Sequence, residues 1–262
     1  NNIDPDALMN MSLAVELLHN FTLVHDDIMD NDSMRHGKET IHEKWDSSTA
    51  ILSGDGIYTI AQIVLNELSY NFSSVSKYFN STTLEICEGQ ALDKEFENDS
   101  TITKEMYLNM IDKKTGSLLG ASAALPIIYN DGTKELVNIY EQFGRCLGRG
   151  FQIHDDLLEI ITDSHTMGKS LGSDILEGKQ TIMVIMARDN FPNEWEDIIS
   201  NSDQRTLIDN ISSFFEKKGI IEETRLISKS FFNSSLDQLN KLDGIIVDEL
   251  VELVKLIEER TY

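Results

Sequence analysis

Two short acidic runs carry the most concentrated chemistry in this chain. The first is His25-Asp26-Asp27-Ile28-Met29-Asp30-Asn31-Asp32, and the second is His154-Asp155-Asp156-Leu157-Leu158-Glu159. Each places carboxylates four residues apart, Asp26 with Asp30 and Asp155 with Glu159. On a helix that spacing puts both groups on one face. Neighbouring carboxylates repel and resist ionisation. A hard divalent cation relieves the repulsion, and Mg²⁺ typically takes one or two protein carboxylates and leaves positions for water and substrate phosphate. Both runs are embedded in apolar sequence, where an unpaired carboxylate is costly to bury. The pattern therefore points to two helices facing each other across shared metal. The bland alternative is a pair of solvated acidic helix ends.

Basic residues follow each run. After the first comes Met34-Arg35-His36-Gly37-Lys38. The planar fork of Arg35 suits a diphosphate, or it pairs with neighbouring Asp30 or Asp32. After the second comes a polar, glycine-containing loop at 162–178, and Lys169 and Lys179 bracket its glycine-interrupted later part. Glycines let backbone approach an anion, and lysines supply charge. Gln152 lies three residues before Asp155 on the same face, and His19 lies seven before Asp26. A lone histidine there is otherwise a satisfied core residue.

Long helices must position these groups. Only 3 prolines and 15 glycines punctuate 262 residues, and 40% of the residues are hydrophobic. Apolar periodicity predicts helices over 6–30, 47–70, 73–97, 103–126, 133–161, 179–189, 204–218, 221–235 and 236–260. No period-two stretch is long enough for a sheet. The fold class expected is all-α, a single domain over 1–262. The net charge of −23 would repel nucleic acid and anionic membrane surfaces. Cys87 and Cys146 form no disulfide framework, which fits a reducing, cytoplasmic setting. No apolar run reaches the ~18 residues of a membrane span.

Together these motifs resemble the trans-isoprenyl diphosphate synthases, specifically the short-chain farnesyl and geranylgeranyl type with an archaeal cast. His25 to Asp30 with Arg35 and Gly37 resembles the first aspartate-rich motif. Gly89-Gln90 with Asp93, then Lys114-Thr115-Gly116, then Phe151-Gln152 through Asp155-Asp156, then Gly168-Lys169 and Asp174 to Thr181 follow in the family's order. The resemblance implies a helical bundle around a central cavity, a homodimer, and condensation of isopentenyl diphosphate with an allylic diphosphate. It implies three magnesium ions, two on Asp26 and Asp30 and the third on Asp155. Arg35, Lys114, Gln152, Lys169 and Lys179 would hold the allylic diphosphate, with Thr115 beside them, and His19 would touch isopentenyl diphosphate. Dipoles of Lys114, Thr115 and Gln152 would stabilise the allylic cation.

Three features depart from the pattern. His36 stands where the family usually has a second arginine, and a mostly neutral imidazole lacks the fork to grip isopentenyl diphosphate. Glu159 ends the second motif where many members have Asp. The family's N-terminal Gly-Gly-Lys-x-x-Arg-Pro region is absent, so an upstream segment is expected to be missing before Asn1. A class I terpene cyclase shares the first motif, but its second would carry an Asn/Asp-Ser/Thr-Glu type that 155–159 does not match. A non-catalytic or regulatory subunit is the other alternative.

Phe21 and Thr22 precede the first motif by five and four residues, where the family floors its chain cavity. A C15–C20 product is expected. Phe21→Ala opens that floor, so chromatography of the products should show longer chains than the unsubstituted chain makes.

Overall fold

The computed structural model describes residues 4–161, 175, 177–202, 206–242, 244, 245 and 247–260. Its first helix, α1 (Pro5–Met29), starts where Asp4 caps the amide of Asp6 and Pro5 supplies a preset φ. Ala7, Met11, Ala14 and Leu18 recur at helical spacing and are buried against α3 (Ser47–Asn66) and α6 (Ser117–Tyr129). By length and composition α1 is the one described helix apolar enough to cross a membrane. In the fold, Ala7, Met11, Ala14 and Leu18 face neighbouring helices, while Leu8, Met9 and Leu13 are exposed.

After α1 comes a feature absent from the sequence reading. Strands β1 (Met34–Arg35) and β2 (Lys38–Glu39) pair as a two-residue-per-strand hairpin. His36 and Gly37 make its turn at φ 50° and 73°, the two positive values that a type I′ turn needs. A stretch this short offers no periodicity to detect. A single turn, α2 (Ile41–Lys44), leads into α3, and α4 (Phe72–Phe96) follows. Val75, Phe79 and Ile86 of α4 join α1, α3 and α6 in one core cluster.

The helix expected over 103–126 is interrupted. α5 (Lys104–Ile111) runs into a π-helical turn at Asp112–Gly116, closed by the amide of Ser117 on the carbonyl of Asp112, before α6 resumes. The extra residue in a π turn rotates the side chains that follow, and such turns recur at functional sites. α6 also continues through Pro126 to Tyr129, beyond the expected end.

α7 (Lys134–Ile161) runs as expected and is the central post, packing on α6, α11 (Ile220–Leu239) and the π turn. α8 (Ile182–Asn190), α9 (Pro192–Asn201) and α10 (Leu207–Lys217) complete a second core cluster around Tyr107, Ile153, Leu157 and Phe215. α9 was not anticipated, because its 10 residues carry a narrow apolar stripe and none is buried. The boundary expected at 235–236 also moves. α11 continues to Leu239, and α12 (Asp248–Glu258) forms only beyond Gly244, which sits at φ 72°.

Two glycines bring the π turn close to its neighbours. A Cβ on Gly89 of α4 would lie 2.3 Å from the Lys114 backbone nitrogen. One on Gly148 of α7 would lie 2.7 Å from the Gly116 Cα. Gly89→Ala should therefore destabilise the chain by about 1–3 kcal/mol through overpacking against rigid backbone. Gly56→Ala, with nothing within 4 Å of the added carbon, should be neutral or mildly stabilising in its helix. Urea denaturation at constant m-value checks both.

Candidate diphosphate and metal site

The last turn of α1 carries Asp26, Asp27 and Asp30 and no basic residue. Carboxylates at a helix C-terminus meet the negative end of the dipole, and these are partly or wholly buried. Compensation has to come from other elements, and it does, from four of them. Arg35 on β1 donates from Nε to Asp27 Oδ1 at 2.6 Å, with Nη2 3.8 Å from both Asp26 and Asp32. Lys114 from the π turn lies 2.6 Å from Asp93 and 3.3 Å from Asp26. Lys179 reaches Asp30 Oδ2 at 2.9 Å, and Lys94 of α4 reaches Asp30 Oδ1 at 3.3 Å.

The second acidic run divides. Asp156 is buried, accepting from Gln152 Nε2 at 2.9 Å and Tyr107 hydroxyl at 2.6 Å. Gln152 accepts in turn from Thr115 Oγ1 at 2.8 Å. Lys114, Gln152, Asp156, Lys179, Asp93 and Tyr107 line one cavity of about 50 Å³. Asp155 points elsewhere and accepts from Arg260 Nη2 at 2.7 Å, while Arg260 lies over the Phe151 ring.

Burial would by itself lower the Lys114 pKa, but Asp26 and Asp93 outweigh it and hold the ammonium above its ordinary value. Burial likewise pushes Asp30 up, yet Lys179, Lys114 and Lys94 together take it below the usual carboxylate range. Asp27 goes the other way. Its burial prevails over Arg35 and raises it.

These donors can be tested against a magnesium ion. Among the described residues no three His, Cys, Asp or Glu side chains converge. A metal here would have to be completed by substrate oxygens and water around Asp26 and Asp30. That donor set suits Mg²⁺, which dehydrates reluctantly and binds through one or two carboxylates plus phosphates. It would not suit a metal needing an all-protein cage.

The structure thus gathers Asp26, Asp30, Arg35, Lys114, Thr115, Gln152 and Lys179 around adjoining contacts. His19 is exposed and 3.9 Å from Glu16, and His36 is exposed on the hairpin turn. Thr22 donates its hydroxyl to the carbonyl of His19 at 2.7 Å. Phe21 packs its ring on His25 and Tyr58, 4.7 and 5.3 Å between centroids. Lys169 lies outside the described residues. Sequence reasoning missed Lys94, Tyr107 and Asp156 as participants. Asp156 directly follows a recognised aspartate and was legible in principle, whereas nothing local marks Lys94 or Tyr107.

An all-helical bundle that gathers lysines onto paired aspartates has the charges from which a site for an anion and a divalent cation could be built. Comparison with known proteins narrows it. The polyprenyl synthetase family model matches residues 2–216. A short chain isoprenyl diphosphate synthase of Methanothermobacter thermautotrophicus is 34% identical, over 96% of this chain and 79% of that protein. A geranylgeranyl diphosphate synthase of Saccharolobus solfataricus is 37% identical, over 95% of this chain and 75% of that protein. The crystal structure of geranylgeranyl pyrophosphate synthetase from Pyrococcus horikoshii superposes with a TM-score of 0.90 at 34% identity, covering 98% of this chain and 81% of the other. The chain belongs to the polyprenyl synthetase family, and the all-α fold expected from sequence is the one observed.

The opposed shifts at Asp27 and Asp30 predict opposite pH signatures. Asp30 has a folded pKa below its ordinary 3.8, so its contribution is present above that value and lost as pH falls through the folded pKa. Asp30→Asn should flatten the loss of stability below about pH 4. Asp27, raised above 3.8, binds its proton more tightly when folded, so its ionisation erodes stability as pH rises past 3.8. Asp27→Asn should remove that erosion. Urea denaturation across the acid range reads both.

Proposed function

We propose that this chain is a short-chain prenyltransferase that condenses isopentenyl diphosphate with an allylic diphosphate to give a C15–C20 trans-prenyl diphosphate. The observation that carries the reading is the parking of Lys114 and Lys179 on Asp26 and Asp30. Each lysine occupies a carboxylate suited to a divalent cation, so an incoming Mg²⁺-diphosphate exchanges one set of ion pairs for another without leaving a charge unpaired. Relatives that match most of the chain carry the same kind of name.

In this reading Asp26 and Asp30 would hold Mg²⁺, and Asp155, now paired with Arg260, would be a ligand for a third ion. Bound Mg²⁺ supplies neutralisation of the diphosphate oxygens, which favours departure of pyrophosphate. Lys114, Lys179, Lys169 and Arg35 bind and orient the allylic diphosphate. Thr115 and Gln152, hydrogen-bonded to each other, present oxygen dipoles toward the allylic carbon as positive charge develops there. Apolar side chains exclude water from the cation, and the departing pyrophosphate accepts the proton lost after the alkene of isopentenyl diphosphate adds. Phe21 against Tyr58 closes the far end. A geranylfarnesyl diphosphate synthase of Natronomonas pharaonis is also 35% identical over 99% of this chain, so the limit on length is assigned to Phe21 and not to similarity. His19, exposed on α1, would touch isopentenyl diphosphate, and His36, exposed on the hairpin turn, would offer it a weaker contact than an arginine.

A homodimer would have large apolar side chains to cover, since Leu52 is 70% exposed and Ile60 and Ile63 of α3 and Leu84 of α4 are exposed as well. Sedimentation should give twice the chain mass. A single assay separates the functional readings. With Mg²⁺, isopentenyl diphosphate and dimethylallyl, geranyl or farnesyl diphosphate, the expected outcome is elongation ending at C15–C20. Hydrocarbon release from the allylic substrate alone would indicate a cyclase, and no turnover at all a non-catalytic subunit. Asp30→Asn should lower kcat by about 10²–10³-fold, the usual effect of removing one charge-stabilising group.

A further inference from the structure

Asp30 is held by two lysines that differ in kind. Its side chain is 4% exposed, with Lys179 on Oδ2 at 2.9 Å and Lys94 on Oδ1 at 3.3 Å. Lys179 lines the cavity beside Lys114, so it can transfer to an anion bound there. Lys94 is not among the residues lining that cavity. Its ammonium is anchored behind Asp30 by two further acceptors, the Met29 carbonyl at 3.0 Å and Glu97 at 2.6 Å. The first is one of the carbonyls that α1 leaves without a helical partner at its C-terminus. The second offsets the lysine's charge. Lys94 is thus a hydrogen-bond donor of fixed direction, and it does not confront a nearby cation with an uncompensated positive charge.

We propose that Lys94 is a positioning residue for the metal-binding carboxylate. It retains Asp30 Oδ1 when Lys179 leaves Oδ2 for the diphosphate, and so fixes the carboxylate against the end of α1 in the orientation from which it would serve the divalent cation. This role rests on the reading that Asp26 and Asp30 bind the metal. Groups that orient a metal ligand from behind typically contribute 10–100-fold in affinity or activity, and the contacts of Lys94 are of that kind. A competing role is available to any lysine on a metal ligand, namely to occupy it and weaken metal binding. Lys179 also has an acidic neighbour, Glu177 at 3.4 Å, so what argues against it is the closer Glu97 at 2.6 Å together with the Met29 carbonyl, which hold Lys94 outside the cavity that Lys179 lines.

The two roles predict opposite signs. The test uses Mn²⁺ as the probe, followed by electron paramagnetic resonance on the full chain with inorganic pyrophosphate present. Lys94→Met should raise the Mn²⁺ half-saturation concentration about tenfold, and Lys94→Arg should restore much of the loss. In steady-state assays the Mg²⁺ requirement should rise in parallel, while kcat at saturating Mg²⁺ and KM for the allylic diphosphate change little. Lys94→Gln, which keeps a donor but shortens the reach, serves as the second variant should Lys94→Met fold poorly, and it should weaken Mn²⁺ binding as well. Unchanged or tighter Mn²⁺ binding in these variants, with binding still lost in Asp30→Asn, overturns the role of Lys94 alone. Absence of Mn²⁺ uptake by the unsubstituted chain overturns the metal reading beneath it, and this role with it.

Discussion

Charge compensation at the end of α1 is the constraint on which the rest of the structure depends. An apolar helix that terminates in Asp26, Asp27 and Asp30 directs carboxylates into its own negative dipole end and into a partly dry interior. It cannot correct this from within, since its last turn holds no cation. The hairpin, α4, the π turn and the 178–181 segment each deliver one. The site is therefore the point where the hairpin that follows α1 and three elements distant in sequence are obliged to meet. Their meeting both stabilises α1 and assembles the groups that an anionic, metal-bearing substrate would exploit.

That obligation explains backbone features with no obvious local merit. The π turn at Asp112–Gly116 separates two adjacent lysines, sending Lys113 to Glu88 at 2.5 Å and Lys114 to Asp26 and Asp93. Gly89 and Gly148 remove side chains where α4 and α7 press on that turn. Helices packed at ordinary separation would hold Lys114 too far from α1. Gly89 and Gly148 are thus spacing devices for the backbone carrying Lys114, and a left-handed conformation is not what these two provide.

The strongly acidic composition acquires a local meaning from the same geometry. With 22 basic residues against 45 acidic ones, cations are scarce, and a cluster of Arg35, Lys94, Lys114 and Lys179 in one region concentrates them. The surface elsewhere is free to be acidic because attraction between close partners inside a low-dielectric site outweighs long-range repulsion screened by salt. The same scarcity makes each of these ion pairs informative, since few cations are available to answer the carboxylates at the end of α1.

Much was legible from the chain alone. Helical periodicity, the two acidic runs and the order of the motifs were enough for the all-α class and the family. The family resemblance carried by those motifs also named Asp26, Asp30, Lys114, Gln152 and Lys179 as a set, because motif order along the chain is a property of sequence. What the chain did not reveal was non-local or too short to be periodic. The 34–39 hairpin, the π turn and α9 leave no pattern longer than noise. The division of Asp155 from Asp156 depends on which neighbour each meets, Arg260 or Tyr107 and Gln152. Lys94 is an ordinary surface-type residue in sequence, and only the packing of α4 against the end of α1 puts its ammonium on Asp30. Residue types and their periodicity thus determined which groups exist and which face each helix presents. Tertiary packing decided which cation answers which carboxylate, because a charge pair is defined by a distance that no stretch of sequence contains.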